Sequence, residues 1–347
     1  MPTGVYIHIP FCLRKCIYCD FLSFPQKDEN FSAYVNALVQ ELKTAKLQQV
    51  DTVYIGGGTP TVLPHHLMCE ILQTVEGLPL MKNTEITVEA NPGTLTPEYL
   101  KALKTSGVTR LSIGLQTTHP ELLQTLSRAH SKDDFTKNFH AAREAGFDNI
   151  NIDLMFALPS QTHEHWLETL KEVIILSPEH ISAYSLIPPE NVDMPIADDD
   201  TDRKMYHNAR KILTDAGYIH YELSNFAKPD KESRHNINCW KMKPYIGFGL
   251  GAHSFDGRTR WHNNESLDAY IHDPQDKKNL HHLTETDLMA EEMILGLRLC
   301  EGVNEPLHYK NEIAKLVNDG LLTRQQGKVA LTPYGMDFAN QVFIAFL

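Results

Sequence analysis

The first 190 residues alternate short β-rich runs with amphipathic stretches at helical spacing. Six such β-α units in series indicate an α/β fold with a parallel sheet and predict most of a TIM-type barrel. The predicted strands cover residues 5–9, 52–55, 85–90, 110–115, 149–155 and 181–186. Active sites of such barrels lie at the C-terminal ends of the strands, so the residues that follow each strand are the functional candidates.

Three cysteines, Cys12, Cys16 and Cys19, follow the first predicted strand with C-x3-C-x2-C spacing. Three thiolates on one loop can hold three irons of a [4Fe–4S] cluster and leave the fourth iron without a protein ligand. Structural zinc usually takes four ligands in two separated pairs, and the sequence has no second cysteine pair. A disulfide framework is not expected in a long chain without a secretory signal. The spacing favours an iron–sulfur cluster over zinc or a chance grouping of core cysteines.

The string Tyr6-Ile-His-Ile-Pro-Phe-Cys12, together with Tyr18 before the third cysteine, carries a family resemblance. It resembles the signature of radical S-adenosylmethionine (SAM) enzymes, in the branch of coproporphyrinogen dehydrogenase (HemN) and HemW. This resemblance implies a radical SAM partial barrel in which Cys12, Cys16 and Cys19 hold a [4Fe–4S] cluster. In that family the open iron binds SAM, and an electron from the cluster cleaves it.

Other family-like strings follow the later strands. Gly57, Gly58 and Thr59 resemble the family motif that binds the amino group of SAM, and Glu89 lies in a similar E-x-N-P string. Without the resemblance, a glycine run after a strand is equally typical of a tight turn, and Glu89 of a solvated strand end. In the porphyrinogen branch the counterparts of further residues contact SAM, including a second SAM molecule; these residues are Tyr6, Tyr18, Gln116, Arg128, Asp153 and Ile187.

Two features of coproporphyrinogen dehydrogenase are missing from this sequence. Phe21 stands where that enzyme has a fourth cysteine, and the long extension before the Tyr6 string is absent. HemW proteins lack both features and are described as heme chaperones that pass heme to acceptor proteins. The resemblance therefore implies a heme chaperone without the dehydrogenase activity. Oxygen-independent oxidation of coproporphyrinogen III and a zinc-stabilised binding module are the alternative functions.

HemW proteins also carry an H-N-x-x-Y-W string tied to heme binding. Here the string reads His235-Asn-Ile-Asn-Cys239-Trp, with cysteine in place of the usual tyrosine. An imidazole and a thiolate are both axial ligands of heme iron. The resemblance therefore implies His235 as a heme ligand and Cys239 as a second or alternative one. An isolated histidine would more often hydrogen-bond to a neighbouring loop.

The expected domains are a radical SAM barrel over 1–225, a heme-motif loop and extension over 226–283, and a small winged-helix-like domain over 284–347. Residues 224–264 show little periodicity, which indicates a long functional loop or cover. The tail shows two helical patterns, 285–299 and 309–319, before a last helix. Its mixed charge favours packing against the barrel, or covering its site, over DNA binding.

Composition limits the partners. Lys and Arg number 32 against 44 Asp and Glu, so the formal net charge of −12 offers no broad basic surface for nucleic acid or anionic lipid. The start of the sequence lacks the features of a signal or transit peptide, and no apolar run approaches the length of a membrane span. We therefore expect a cytoplasmic protein without a transmembrane segment. The expected partners are heme, an electron donor and heme-acceptor proteins, which can include membrane-bound respiratory enzymes.

Overall fold

A computed structural model describes residues 2–25, 27–190 and 192–347 of the chain. Its helices are α1 (Phe31–Thr44), α2 (His65–Glu76), α3 (Pro97–Thr105), α4 (Pro120–Thr125), α5 (Lys132–Glu144), α6 (His163–Leu176), α7 (Asp199–Asp215), α8 (Arg234–Trp240), α9 (Leu267–His272), α10 (Glu285–Gly296), α11 (Lys310–Asn318), α12 (Pro333–Asp337) and α13 (Ala339–Ile344). Its strands are β1 (Thr3–Ile9), β2 (Phe11–Cys12), β3 (Phe24–Pro25), β4 (Val50–Gly57), β5 (Leu80–Ala90), β6 (Arg110–Gln116), β7 (Ile150–Phe156), β8 (His180–Ser185), β9 (Ile219–Glu222), β10 (Asn225–Ala227), β11 (Tyr245–Phe248), β12 (His253–Phe255), β13 (Thr259–Asn263), β14 (Lys277–His282), β15 (Val303–Asn304), β16 (Leu322–Gln325) and β17 (Lys328–Leu331).

One large sheet organises the molecule. Its strand order is β14-β13-β12-β11-β1-β4-β5-β6-β7-β8-β10-β9. The strands from β11 to β8 in this order run parallel, and antiparallel strands extend the sheet at both edges. All six predicted strands are present, and helices follow them as the β-α pattern requires. The predicted α/β fold with a partial barrel is confirmed.

Side chains alternate along the parallel strands and give the sheet one apolar face and one polar face that lines the interior of the barrel. One face carries apolar residues such as Val53, Ile55 and Val88, which are buried in the main hydrophobic cluster beneath the helices. The opposite face carries Tyr54 and Glu89, which meet each other inside the barrel. Because successive residues of a strand point to opposite faces, one strand supplies both the core and the interior of the barrel.

The expectation of a long loop over 224–264 is wrong. This segment contains the strands β10 to β13 and the helix α8. Strand β11 pairs in parallel with β1, with Tyr245 opposite Gly4, and so adds a seventh parallel strand within the described part of the chain. The strand has only four residues, so its apolar pattern was too short to distinguish it from a loop.

The C-terminal segment has a hydrophobic cluster of its own, formed by helices α10 to α13 and the antiparallel sheet β15-β17-β16. It joins the flank of the barrel through backbone bonds from the Leu223 amide to the Arg298 carbonyl (3.1 Å) and from the Cys300 amide to the Tyr221 carbonyl (2.9 Å). His207 on α7 contacts the Asp337 carboxylate at 2.8 Å. The predicted packing against the barrel is confirmed. Among the described helices, none combines the length and the apolar character needed to cross a membrane.

Candidate cofactor site

The cysteine loop connects β1 to α1 and is closed at its base. Strands β2 and β3, one from each end of the loop, pair with Phe11 opposite Phe24. The Phe24 amide also donates to the Pro10 carbonyl at 2.7 Å. Inside the loop, the Cys19 amide donates to the Cys16 carbonyl at 3.1 Å, which closes a turn between these two cysteines. All six cysteines of the chain are free thiols.

The glycine run after β4 lies directly against the cysteine loop. The Gly58 amide donates to the Ile9 carbonyl (2.8 Å), and the Thr59 amide donates to the Phe11 carbonyl (2.7 Å). The Thr59 hydroxyl donates to Cys12 Sγ at 3.7 Å. A Cβ atom at Gly58 would lie 2.6 Å from the Phe11 carbonyl oxygen and 3.0 Å from Cys12 Sγ. Only glycine allows this approach of the two segments.

Arg128, which follows α4, joins the cysteine loop to two strand ends. Its Nη1 contacts Cys16 Sγ at 3.5 Å and the Tyr18 hydroxyl at 3.4 Å. Its Nη2 donates to the Asn91 side-chain oxygen and to the Gly114 carbonyl, both at 2.6 Å. The remaining donor, Nε, is buried without a hydrogen-bond partner. A buried guanidinium with an orphaned donor beside two cysteine-loop residues is typical of a ligand-binding position.

Glu89 lies inside the barrel at the end of β5. Its Oε2 accepts from the Gly57 amide (3.1 Å), and its Oε1 accepts from the Tyr54 hydroxyl (2.7 Å). A Cβ atom at Gly56 would lie 2.7 Å from Oε2, so a side chain there would displace the carboxyl group. Burial raises the pKa of Glu89 to about 7, although the hydrogen bond from Tyr54 opposes that shift. The carboxyl therefore changes charge near neutral pH and is not a solvated strand end.

Asp153 and Gln116 occupy neighbouring strands. Asp153 accepts from Asn151 Nδ2 (2.8 Å) and from the Ser112 hydroxyl (3.0 Å), and burial raises its pKa. Gln116 ends β6 with a φ of 72°, a left-handed conformation that is uncommon for a residue other than glycine. A Cβ atom at Gly114 would lie 3.0 Å from both Gln116 Nε2 and Arg128 Nη2, so these two side chains lie close to each other.

The two remaining barrel residues with a predicted SAM contact differ in exposure. Tyr6 lies inside the barrel, where its hydroxyl is 2.9 Å from His8 Nδ1 and its ring stacks on Tyr54. Ile187 follows β8 and is 80% exposed at the same end of the barrel as the cysteine loop. Tyr6 lies on β1, the strand that leads into the cysteine loop. Ile187 lies outside the barrel interior, on the exposed segment that follows β8.

A small recess lies between the cysteine loop and the strand ends. It is lined in part by Cys16, Thr59, Asn91, Arg128 and His130. Burial and the charge of Arg128 lower the pKa of His130 to about 4, so this imidazole is neutral at physiological pH. Sequence reasoning did not name Asn91 or His130 as site residues. Asn91 could have been found, because it stands in the same string as Glu89.

His235 lies at the other end of the barrel. Its Nδ1 is 3.0 Å from the Thr52 hydroxyl, its ring lies 5.3 Å from that of Tyr54, and its amide donates to Glu85 Oε1 at 3.2 Å. Thr52 precedes Gly57 by five residues of β4, which corresponds to about 16 Å along the strand. His235 is buried, and burial lowers its pKa to about 4. The structure therefore does not bring His235 together with the three cysteines.

Cys239 lies on α8 with His235 and is also distant from the cysteine loop. Burial raises the pKa of its thiol to about 12, against the influence of Arg260. The next residue, Trp240, packs its ring 4.4 Å from the Arg298 guanidinium of the C-terminal segment. Helix α8 thus closes the N-terminal end of the barrel and links it to that segment.

The donor set of the cysteine loop fits a cluster better than a single metal ion. Four thiolates around one Zn²⁺ lie about 3.8 Å apart, as the 2.3 Å Zn–S bond requires. Among the described residues, a grouping of three ligand atoms within 4.8 Å of one another occurs at His119, Glu121 and His165 and not at the three cysteines. Three thiolates that do not form such a grouping are compatible with three different irons of one cluster.

Comparisons with known proteins agree with this geometry. Residues 6–173 match the Radical SAM superfamily, and residues 283–338 match the HemN C-terminal domain. The chain is 37% identical to the heme chaperone HemW of Bacillus subtilis over 99% of both chains. It is 34% identical to the heme chaperone HemW of Escherichia coli, over 100% of this chain and 98% of the other.

The chain belongs to the HemW family.

A solved structure supports the fold of this HemW-family chain. Coproporphyrinogen III oxidase (HemN) from Escherichia coli, described as a radical SAM enzyme, superimposes with a TM-score of 0.86. The match covers 99% of this chain and 90% of the HemN chain at 23% identity. At this identity the likeness establishes the shared fold, including the C-terminal domain, and leaves activity to be argued from the site.

Proposed function

We propose that this protein is a heme chaperone that carries a [4Fe–4S] cluster and SAM, binds heme and passes it to acceptor proteins. The observation that carries the proposal is the end-to-end similarity to proteins named heme chaperones, at 37% and 34% identity. The cysteine loop and its surroundings supply the matching chemistry. Cys12, Cys16 and Cys19 lie at the mouth of the barrel beside the glycine run and Arg128.

In this proposal Cys12, Cys16 and Cys19 hold the cluster, which when bound supplies single electrons and an open iron position for SAM. The residues proposed to contact SAM are Tyr6, Tyr18, Gly57, Gly58, Thr59, Glu89, Gln116, Arg128, Asp153 and Ile187. Gly58 allows the backbone of the glycine run to approach the cluster ligand Cys12. Glu89, fixed by two hydrogen bonds, offers a carboxylate toward the interior of the barrel.

Three side chains are candidates for the heme ligand. His235 is neutral and keeps a lone pair, but its ring is enclosed by Thr52 and Tyr54, so ligation of heme requires α8 to move. The Cys239 thiol, with a pKa near 12, would have to lose its proton first. His253 offers an accessible imidazole: it is exposed and its ring stacks 5.0 Å from that of His262. His235 remains the predicted ligand, with Cys239 and His253 as its competitors.

Coproporphyrinogen oxidation is the competing function, and Phe21 is the residue that argues against it. Phe21 is 62% exposed on the cysteine loop and provides no fourth thiol there. The test is to incubate cluster-loaded protein with SAM, dithionite and coproporphyrinogen III, and in parallel with heme. A chaperone retains heme unchanged and gives no decarboxylated product; turnover of coproporphyrinogen III would contradict the proposal.

We define the acceptor and the electron donor by the chemistry that each must carry out. The acceptor is a protein that takes up heme, and the donor is a one-electron reductant of the cluster. Membrane-bound respiratory enzymes are one class of acceptor that fits this role. A place in the cytoplasm stays a prediction.

A further inference from the structure

Two histidines that the proposed function does not use face each other on the rim of the barrel. His119 immediately precedes α4, and His165 lies in the first turn of α6. Their ring centroids are 4.4 Å apart. The side chains are 16% and 28% exposed, so both rings are held against the protein. His119 follows the end of β6, which carries Gln116, and the helix α6 follows β7.

A carboxylate completes a set of three ligand atoms. Glu121 Oε1 lies 3.6 Å from His119 Nδ1 and 3.8 Å from His165 Nε2. All three ligand atoms lie within 4.8 Å of one another. Zn²⁺ bound tetrahedrally at its usual ligand distances of 2.0–2.1 Å has ligand atoms about 3.4 Å apart. The two distances from Glu121 are therefore within a few tenths of an ångström of those around one ion.

The surroundings of His119 fix the orientation that ligation needs. Its Nε2 is 3.1 Å from the His165 carbonyl oxygen and 3.4 Å from Glu168 Oε2. Both neighbours are acceptors, so a proton on Nε2 would satisfy them and would leave the lone pair of Nδ1 available to a metal ion. A ligating histidine whose second nitrogen donates to a carbonyl or carboxylate is the usual arrangement at metal sites.

His119 contacts the His165 carbonyl through Nε2 but does not cap the helix that follows it. It stands at the N-cap position of α4, yet its side chain makes no capping hydrogen bond. His165 does accept from the Thr162 amide through Nδ1, at a long 3.3 Å, and this bond is what ligation through Nε2 would give up. The positive ends of two helices also disfavour a cation here, and the carboxylates of Glu121 and Glu168 offset that field.

We propose that His119, Glu121 and His165 form a binding site for Zn²⁺ or a similar divalent transition metal, separate from the cysteine loop. Two imidazoles and one carboxylate are ligands that zinc, nickel and ferrous iron accept, with a fourth position open to water. Such an ion would link the segment between Gln116 and Arg128 to helix α6. The site is independent of the proposed heme chemistry.

The test is calorimetric titration of cluster-loaded protein with Zn²⁺ alone, which leaves the three loop cysteines occupied. The wild type is compared with H119Q/H165Q and with the matched control H140Q/H163Q, which removes two exposed histidines, one of them on α6. We expect the wild type and the control to bind one Zn²⁺ per chain, and H119Q/H165Q to bind it at least about 100-fold more weakly.

Glu121 provides a second variant in case the double substitution impairs folding. Its side chain is 59% exposed, so E121Q should fold as the wild type does. We expect E121Q to weaken Zn²⁺ binding about 10–100-fold. Unchanged Zn²⁺ affinity and stoichiometry in a folded H119Q/H165Q or in E121Q would overturn the proposal.

Discussion

The guanidinium of Arg128 connects Cys16 to Asn91: Nη1 lies 3.5 Å from the thiol sulfur, and Nη2 donates to the amide oxygen at 2.6 Å. One side chain therefore positions the cysteine loop relative to the strand end that carries Glu89. Lysine cannot bridge two such directions, because its donors radiate from a single nitrogen.

Replacing Arg128 by lysine should loosen this junction. Asn91 and Gly114 would compete for one ammonium group, and we expect the free energy of unfolding to fall by about 2–3 kcal/mol. The measurement is urea denaturation of R128K beside R14K, which changes an exposed arginine of the same loop. We also expect R128K to lose iron faster than R14K in the presence of a chelator. Equal stability and equal iron retention in both variants would refute this role.

Single replacement of Cys12, Cys16 or Cys19 by serine should abolish cluster loading. Each thiolate is proposed to hold a different iron, so removal of any one leaves a second iron without its protein ligand. Iron and sulfide content per chain after anaerobic reconstitution is the measurement. C69S is the matched control, because Cys69 lies on α2 away from the loop. Full iron and sulfide content in the three loop variants would show that these cysteines are not the ligands.

Gly58→Ala should separate the glycine run from the cysteine loop. The added methyl group would lie 2.6 Å from the Phe11 carbonyl oxygen and 3.0 Å from Cys12 Sγ, so one segment must move. We expect a loss of stability of about 1–3 kcal/mol and incomplete cluster loading. Gly77→Ala is the control, because its φ is −72° and its nearest contact would be 3.3 Å. A G58A protein that loads iron as well as G77A does would contradict the close approach.

Glu89 should make stability depend on pH. Its pKa rises from 4.5 to about 7 on folding, so the folded state holds the proton more tightly than the unfolded state does. This contribution is full below about pH 4.5 and is lost as the pH rises toward 7. Between pH 5 and pH 8 the wild type should therefore lose about 2–3 kcal/mol relative to E89Q, which does not titrate.

Urea denaturation at both pH values measures the effect of Glu89. E144Q is the control, because it removes an exposed carboxylate on α5 and leaves Glu89 in place. If E89Q and the wild type changed in parallel from pH 5 to pH 8, Glu89 would not titrate in this range.

The six main strands and most helices of the barrel could be predicted because their signals are local. Thr96 and Pro97 mark the start of α3, for example, and the Thr96 hydroxyl does accept from the Tyr99 amide at 3.2 Å. Strand β11 could not be predicted in this way, because its four residues form a strand through pairing with β1, more than 200 positions earlier in the sequence.

In the candidate site too, the features set by local sequence could be predicted, and those set by contacts distant in sequence could not. The cysteine loop and the glycine run follow successive strands of one parallel sheet, so sequence order alone placed them at one end of the barrel. His235 has no such relation, because α8 reaches the barrel through contacts that are distant in sequence, such as those of His235 with Thr52 and Glu85. A motif string could therefore suggest a ligand but could not show that its imidazole is enclosed.

The most direct test of the chaperone account is an anaerobic heme titration of cluster-loaded protein, followed in the Soret band, with wild type, H235A and H253A side by side. The account predicts saturable binding of about one heme per chain in the wild type. Weakened binding in H235A would identify the predicted ligand and imply movement of α8, whereas weakened binding in H253A alone would move ligation to the exposed imidazole. Absence of saturable heme binding in the wild type would contradict the central claim.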